Sequence, residues 1–263
     1  MADDGGYLLD NQQAEAGERF DALAALFNPA TFRHIDALGI TEGWSCWEVG
    51  AGGTSTPSWL AERVGPTGHV LATDIDVSWM TADAGYEVRR HDIGVDPPPG
   101  KGFDLVHARL VLVHVPQRAA ALAAMASALR PGGWLLLEEA DPMMQPLVCP
   151  DESGPAQRLA NKLKRDFRTL MAQRGVDLSY GRTLPRLLRD AGLADVEADA
   201  FFPITGASCA LLEEATVRQI RHRLTVAGLA TDEEIDQHLG NIAAGHLDLA
   251  TSPMISAWGR RPA

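Results

Sequence analysis

The chain has 263 residues, 46% of them hydrophobic, enough to bury a substantial core. Acidic side chains number 35 against 23 basic ones, a formal net charge of −12; this argues against a nucleic-acid partner, because phosphate binding draws on clustered positive charge. No apolar run approaches the ~18 residues that span a bilayer, so no membrane partner is expected.

In chain order, the opening MADDGGYLLDNQQ lacks the basic start and apolar core of a signal peptide, and a cytoplasmic location is expected. Residues 1–40 read as an N-terminal helical cap. One helix runs from Glu18 through Leu23, Leu26 and Phe27, and a second from Pro29 to Leu38, with Gly39 as its stop. Ser45 to Val49 is a short apolar run ending in glycines, as a buried strand would be. A helix follows from about Pro57 to Val64, with Thr54, Ser55 and Thr56 all able to cap it. The turn Gly65-Pro-Thr-Gly68 then leads into a strand, Val70 to Asp74. Strand, helix and strand in about 30 residues make the βαβ unit of a parallel sheet.

The alternation continues with a weak strand at Glu87–Arg90, a loop at Pro97–Gly100 and a strand at Phe103–Ala108. An Ala-rich helix, Gln117–Leu129, is stopped by Arg130-Pro-Gly-Gly133, and Trp134–Glu138 is the next strand. Two segments break the rhythm. Residues 142–180 hold a helix, Ala156–Gln173, whose Lys162 to Arg165 and Arg168 read as its wet face. Residues 203–252 hold Cys209–Val226 and Asp232 to about Ala244, the latter behind a capping-box pattern, Thr231-Asp-Glu-Glu234. Between these inserts lie a helix, Thr183–Ala191, and a strand, Val196–Phe202; Met254–Trp258 is the last strand. The expected architecture is α/β, a doubly wound, mostly parallel sheet over residues 41–263 with helical inserts at about 142–180 and 203–252. Cys46, Cys149 and Cys209 stand in no metal-ligand spacing and read as reduced, packed thiols.

The stretch Glu48-Val-Gly50-Ala51-Gly52-Gly53 lies where the first strand turns into the first helix of this unit. Glycine there lets a ligand touch the backbone with no Cβ in the way, and the helix points free N–H groups at it. Asp74 follows 24 residues after Gly50 at the end of the next strand, where a carboxylate can accept both hydroxyls of a ribose. A nucleoside cofactor is therefore expected. A dinucleotide loop asks for a third glycine where Ser55 stands, and Glu48 suits a cofactor with a cation better than one with two phosphates.

This segment resembles the first motif of class I S-adenosylmethionine-dependent methyltransferases. Thr73-Asp74-Ile75, His91-Asp92-Ile93, Phe103 to Arg109 and Leu129 to Leu135 are similar to the family's later signatures, so the ordered resemblance covers residues 47 to about 140. It implies a Rossmann-like, seven-stranded sheet with an antiparallel last strand. It also implies that Gly50, Ala51, Gly52 and Gly53 pass along the cofactor and that Asp74 holds its ribose. Ile75 and Ile93 would flank adenine, Asp92 would accept from its amino group, and the backbone at Arg109 and Leu110 would lie beside the methionine part. Thr54 departs from the family, which often has glycine there. Tyr7 and Arg19 would close over the cofactor as a lid.

Methyl transfer needs alignment above all, and an oxygen nucleophile also gains from a base. His114, just past the fourth strand, is the candidate base, with Glu139 and Asp141 as rivals and His107 as a core residue. The inserts would cover a small, partly apolar acceptor with Met143, Met144, Leu147, Phe167 and Met171, and could equally serve a homodimer. Oxygen is the preferred acceptor, and natural-product or secondary metabolism is one setting for it. No metal-ligand cluster follows the fourth strand. A cofactor-binding protein that does not methylate, such as a cyclase or a subunit, shares every motif; a nicotinamide-dependent oxidoreductase is opposed by Ser55 and Glu48.

Overall fold

The structure, a computed structural model, describes residues 15–81 and 85–263. Tyr7 lies outside the described residues. Seven strands form, the central ones buried almost continuously on both faces and β3 and β6 largely exposed: β1 (Ser45–Val49), β2 (His69–Asp74), β3 (Glu87–Arg90), β4 (Phe103–Arg109), β5 (Leu129–Ala140), β6 (Ala194–Phe201) and β7 (Met254–Arg260). They make one sheet in the order β3-β2-β1-β4-β5-β7-β6. β1 to β5 are mutually parallel, and β7 runs antiparallel to both β5 and β6. The order reverses between β1 and β4, and such a switch point opens a crevice at the carboxyl ends of the strands.

The helices are α1 (Glu15–Ala37), α2 (Ser55–Val64), α3 (Arg118–Ala128), α4 (Pro155–Gln173), α5 (Leu184–Asp190), α6 (Ala207–Val226) and α7 (Asp232–Ala243). The chain divides into two compact units. The first comprises Phe27–Ala140, Tyr180–Phe201 and Met254–Ala263 and contains the whole sheet. One face of that sheet, with Trp47, Val106, Leu135 and Leu137, packs with Leu122 and Met125 of α3 and Leu184 and Leu188 of α5. The opposite face, with Cys46, Leu105 and Leu136, packs with Ile35 of α1 and Leu60 and Val64 of α2. The second unit comprises residues up to Leu26 with Asp141–Ser179 and Phe202–Pro253. Its core joins Leu163, Phe167 and Leu170 of α4 to Val217, Ile220 and Leu224 of α6 and Ile235 of α7.

Three local expectations are corrected. The first helix is not broken at Pro29: α1 runs on through it. Proline there removes one intrahelical hydrogen bond, and the second half of α1 recovers stability by docking Asn28, Thr31 and His34 on polar groups of the sheet. β5 begins at Leu129 and carries Pro131-Gly132-Gly133 within it, because the register jumps between Phe103 and Leu105. Gly133 permits this, since a Cβ there would stand 2.7 Å from the Phe103 carbonyl oxygen. Thr54 occupies the N-cap position of α2 but makes no side-chain cap. The capping box at Thr231 and Glu234 forms as expected. Among the described residues no helix is long and apolar enough to cross a membrane, and no cluster of His, Cys, Asp and Glu could hold a metal ion.

Candidate functional site

The glycine segment lies where β1 leaves the sheet beside β2 and β4. Gly50 and Gly52 take φ of 62° and 64°, a region that disfavours any residue with a Cβ. At Gly50 a Cβ would lie 2.4 Å from Cγ2 of Val111, so the loop and the chain leaving β4 touch at a point only glycine fits. Gly53 is different, with open space around it. With no side chain capping α2, its first N–H groups are left to water or a ligand.

Asp74 closes the other side. Its carboxylate is buried and accepts the Gly52 N–H at 2.9 Å and the Asp76 N–H at 3.0 Å. Burial pushes its pKa up and these backbone donors pull against that. Each carboxylate oxygen has two lone pairs, so Asp74 can brace the loop and still accept from a hydroxyl. Ile75 beside it is exposed and offers an apolar rim, whereas Ile93 belongs to the packed core. Asp92 is exposed and its Oδ1 accepts the Gly94 N–H at 2.8 Å, an Asx turn that holds the loop after β3.

Glu48 does not face the loop. Its side chain points into the α1 face of the sheet, where Oε2 lies 2.6 Å from Nδ1 of His107. His107 also reaches Glu138 at 3.3 Å, and Glu138 accepts from Ser256 at 2.6 Å and from Thr31. His34 of α1 lies 3.5 Å from Glu138 and 3.0 Å from Asp199. Desolvation works against a charged His107, but the carboxylates of Glu48 and Glu138 outweigh it and raise its pKa to about 9. Glu138 is held well below the usual carboxylate range: its burial acts upward, and the hydrogen bonds from His107 and His34 act downward more strongly. His107 is thus a core residue with its partners, as expected. Glu48 is the other buried partner of that histidine, inside the sheet.

Arg109 turns its guanidinium to Asn28 at 2.9 Å and Thr31 at 3.0 Å, leaving its backbone at the strand end. Leu110 follows at φ 58°, its N–H on the Glu138 carbonyl at 2.8 Å. His114 ends a 3-10 turn, Leu112–His114, and is half-buried. Glu139 is turned to the face opposite Glu138 and accepts from Val111, Leu112 and Val113 N–H at 3.1, 2.6 and 3.3 Å. The sequence offered it as a rival base and did not foresee these backbone contacts, although a Glu-Glu pair ending an apolar strand signals one carboxylate on each face. In the other unit, Asp141 holds a turn through Met143 and Met144 N–H, Arg19 is buried over the Phe20 ring, and Phe167 lies in the helical core with Met171 packed on it. Met143 and Met144 are exposed.

The methyltransferase domain family matches residues 45–198 of this chain. The chain belongs to that family. This methyltransferase domain is 23% identical over 177 residues to phosphoethanolamine N-methyltransferase of Triticum aestivum, covering 64% of this chain and 32% of the relative. It is 26% identical over 215 residues to the ubiquinone/menaquinone biosynthesis C-methyltransferase UbiE of Bordetella parapertussis, covering 74% and 81%. Among solved structures, phosphoethanolamine N-methyltransferase 2 of Haemonchus contortus, in complex with phosphomonomethylethanolamine and S-adenosylhomocysteine, superposes with a TM-score of 0.60 at 15% identity, covering 98% of this chain and 61% of that one; at that identity the likeness is one of fold. Several of the curated relatives are longer, and the chain spans from 32% to 56% of their length.

Proposed function

We propose that this methyltransferase domain binds S-adenosylmethionine at the carboxyl ends of β1, β2 and β4 and transfers its methyl group to a small, partly apolar molecule, at oxygen. The observation that carries the reading is the paired geometry of Gly50 and Gly52, both at positive φ, with Asp74 bound to the Gly52 N–H. This cradle takes a ligand against bare backbone and offers it one carboxylate for a ribose. S-adenosylmethionine supplies a methyl group already activated by its sulfonium, so the protein has chiefly to align the acceptor and exclude water. His114, on the turn after β4, is the residue proposed to take a proton from a hydroxyl acceptor. The net charge of −12 supports a small molecule over a nucleic acid.

A second reading, transfer to nitrogen or carbon, is favoured by the relatives' own names, an N-methyltransferase and a C-methyltransferase. Calorimetric titration with S-adenosylmethionine and S-adenosylhomocysteine comes first. Micromolar binding is expected. Asp74→Ala removes a charged acceptor worth about 1.5–3 kcal/mol, so affinity falls roughly 10- to 100-fold. Unchanged affinity in the variant would overturn the site. Phenols, phosphoethanolamine and quinols are then offered as acceptors while S-adenosylhomocysteine release is followed. Release with phenols alone supports oxygen, and release with either of the others alone corrects the acceptor atom. Binding without release across the panel favours a protein that holds the cofactor without methylating.

A further inference from the structure

Glu139 stands second from the end of β5, buried to 1% exposure, on the face opposite Glu138. Three successive N–H groups, of Val111, Leu112 and Val113, converge on its Oε1 at 3.1, 2.6 and 3.3 Å, while Oε2 is buried with no hydrogen-bond partner. Just before these donors, Leu110 sits at φ 58°, a left-handed conformation that is unfavourable for a residue with a Cβ. Just beyond Leu110, the Val111 side chain fills the space a Cβ on Gly50 would need. The chain after β4 therefore has an unfavourable conformation, a close approach to the glycine loop, and one carboxyl that holds it there.

We propose that Glu139 is a positioning residue for cofactor binding: by gathering the N–H groups of Val111 to Val113 it fixes the turn that presents the Leu110 backbone and seats Val111 against Gly50. This rests on the reading of that edge as the S-adenosylmethionine site. Burial pushes the carboxyl's pKa up, to about 8, while the three backbone donors and the charge of Arg118 pull it down. Glutamine has the same reach and the same accepting oxygen, so it should replace Glu139; alanine leaves three N–H groups without their acceptor.

The test is S-adenosylhomocysteine titration of the wild type, Glu139→Ala and Glu139→Gln, with melting temperature and amide hydrogen exchange of residues 111–113 on the same samples. Asn161→Ala, which removes the clamp on the Cys149 N–H and carbonyl at 2.8 and 3.0 Å, is a control that destabilises the other unit. Expected are at least about tenfold weaker binding and faster exchange at 111–113 in Glu139→Ala, because the stranded N–H groups no longer hold the turn. Glu139→Gln should stay within about threefold of wild type, and Asn161→Ala should lose melting temperature but keep its affinity. Undiminished affinity in Glu139→Ala, unchanged exchange, or a Gln variant as weak as the Ala variant would overturn the proposal. So would an affinity loss in Asn161→Ala matching its loss of stability. A wild type that binds no S-adenosylhomocysteine overturns the cofactor reading, and this inference with it.

Discussion

Gly50 shows how little room the site leaves at the level of one atom. Its φ of 62° and the 2.4 Å from a built Cβ to Val111 act together. Gly50→Ala should cost about 1–2 kcal/mol in backbone strain and a further ~1–3 kcal/mol in overpacking, with loss of cofactor affinity. In Gly50→Ala/Val111→Ala the packing part should return and the strain should not; urea unfolding of the single and double variants separates the two. The glycines and Asp74 were legible as site candidates because each does a job few other residues can do. The orientation of Glu48 was not, since a carboxylate two residues before the loop sits as naturally on either side of the strand's end. The structure turns it to His107, the residue directly across in the register of β1 and β4.

Among elements, α1 depends most on its surroundings. Its second half is held by Asn28, Thr31, His34 and Ile35, and the polar part of that set meets Arg109, Glu138 and Asp199. At the centre is a fully buried imidazole between two carboxylates. Removing one partner of such a group strands the others, so His107→Ala should destabilise the protein by about 3–5 kcal/mol, measured by urea denaturation at pH 7. A loss below ~1 kcal/mol would mean that the carboxylates find water or protonate in its absence. α7 offers a milder case: Thr231→Ala breaks the capping box and should cost about 1 kcal/mol. Helices and strands themselves were largely readable, because their periodicity is a local property. The continuity of α1 through Pro29 was not, since the proline's cost is local and the docking that offsets it spans more than 160 residues, from His34 to Asp199.

Across the whole molecule, pH connects these groups. Glu139 and His107 both have raised pKa values, so each contributes stability that is present at low pH and lost as pH rises: between its ordinary 4.5 and about 8 for Glu139, and between 6.5 and about 9 for His107. Glu213 in the helical unit behaves oppositely. Desolvation opposes its ionisation, but Lys164 and His238 lower its pKa to about 2, so its contribution is present above 4.5 and lost on acidification through that interval. The urea midpoint should therefore decline from about pH 4.5 to 9, and Glu139→Gln should flatten the part of that decline below about pH 8, leaving the His107 part. An alkaline limb unchanged in this variant would show that Glu139 does not titrate in that range.

The sequence by itself determined the alternation of strands and helices, the helices of the two inserts, and the glycine and acidic positions proposed for a nucleoside-cofactor edge. These follow from hydrophobic period, turn chemistry and backbone sterics, which act over a few residues. Tertiary structure alone decided which face each acidic residue serves. Glu48 and Glu138 go to a buried histidine and α1, and Glu139 goes to the turn after β4. A carboxylate's role depends on the donors that reach it, and here the residues that reach it lie 26 to 118 positions away, brought together by the order of strands in the sheet and the docking of α1.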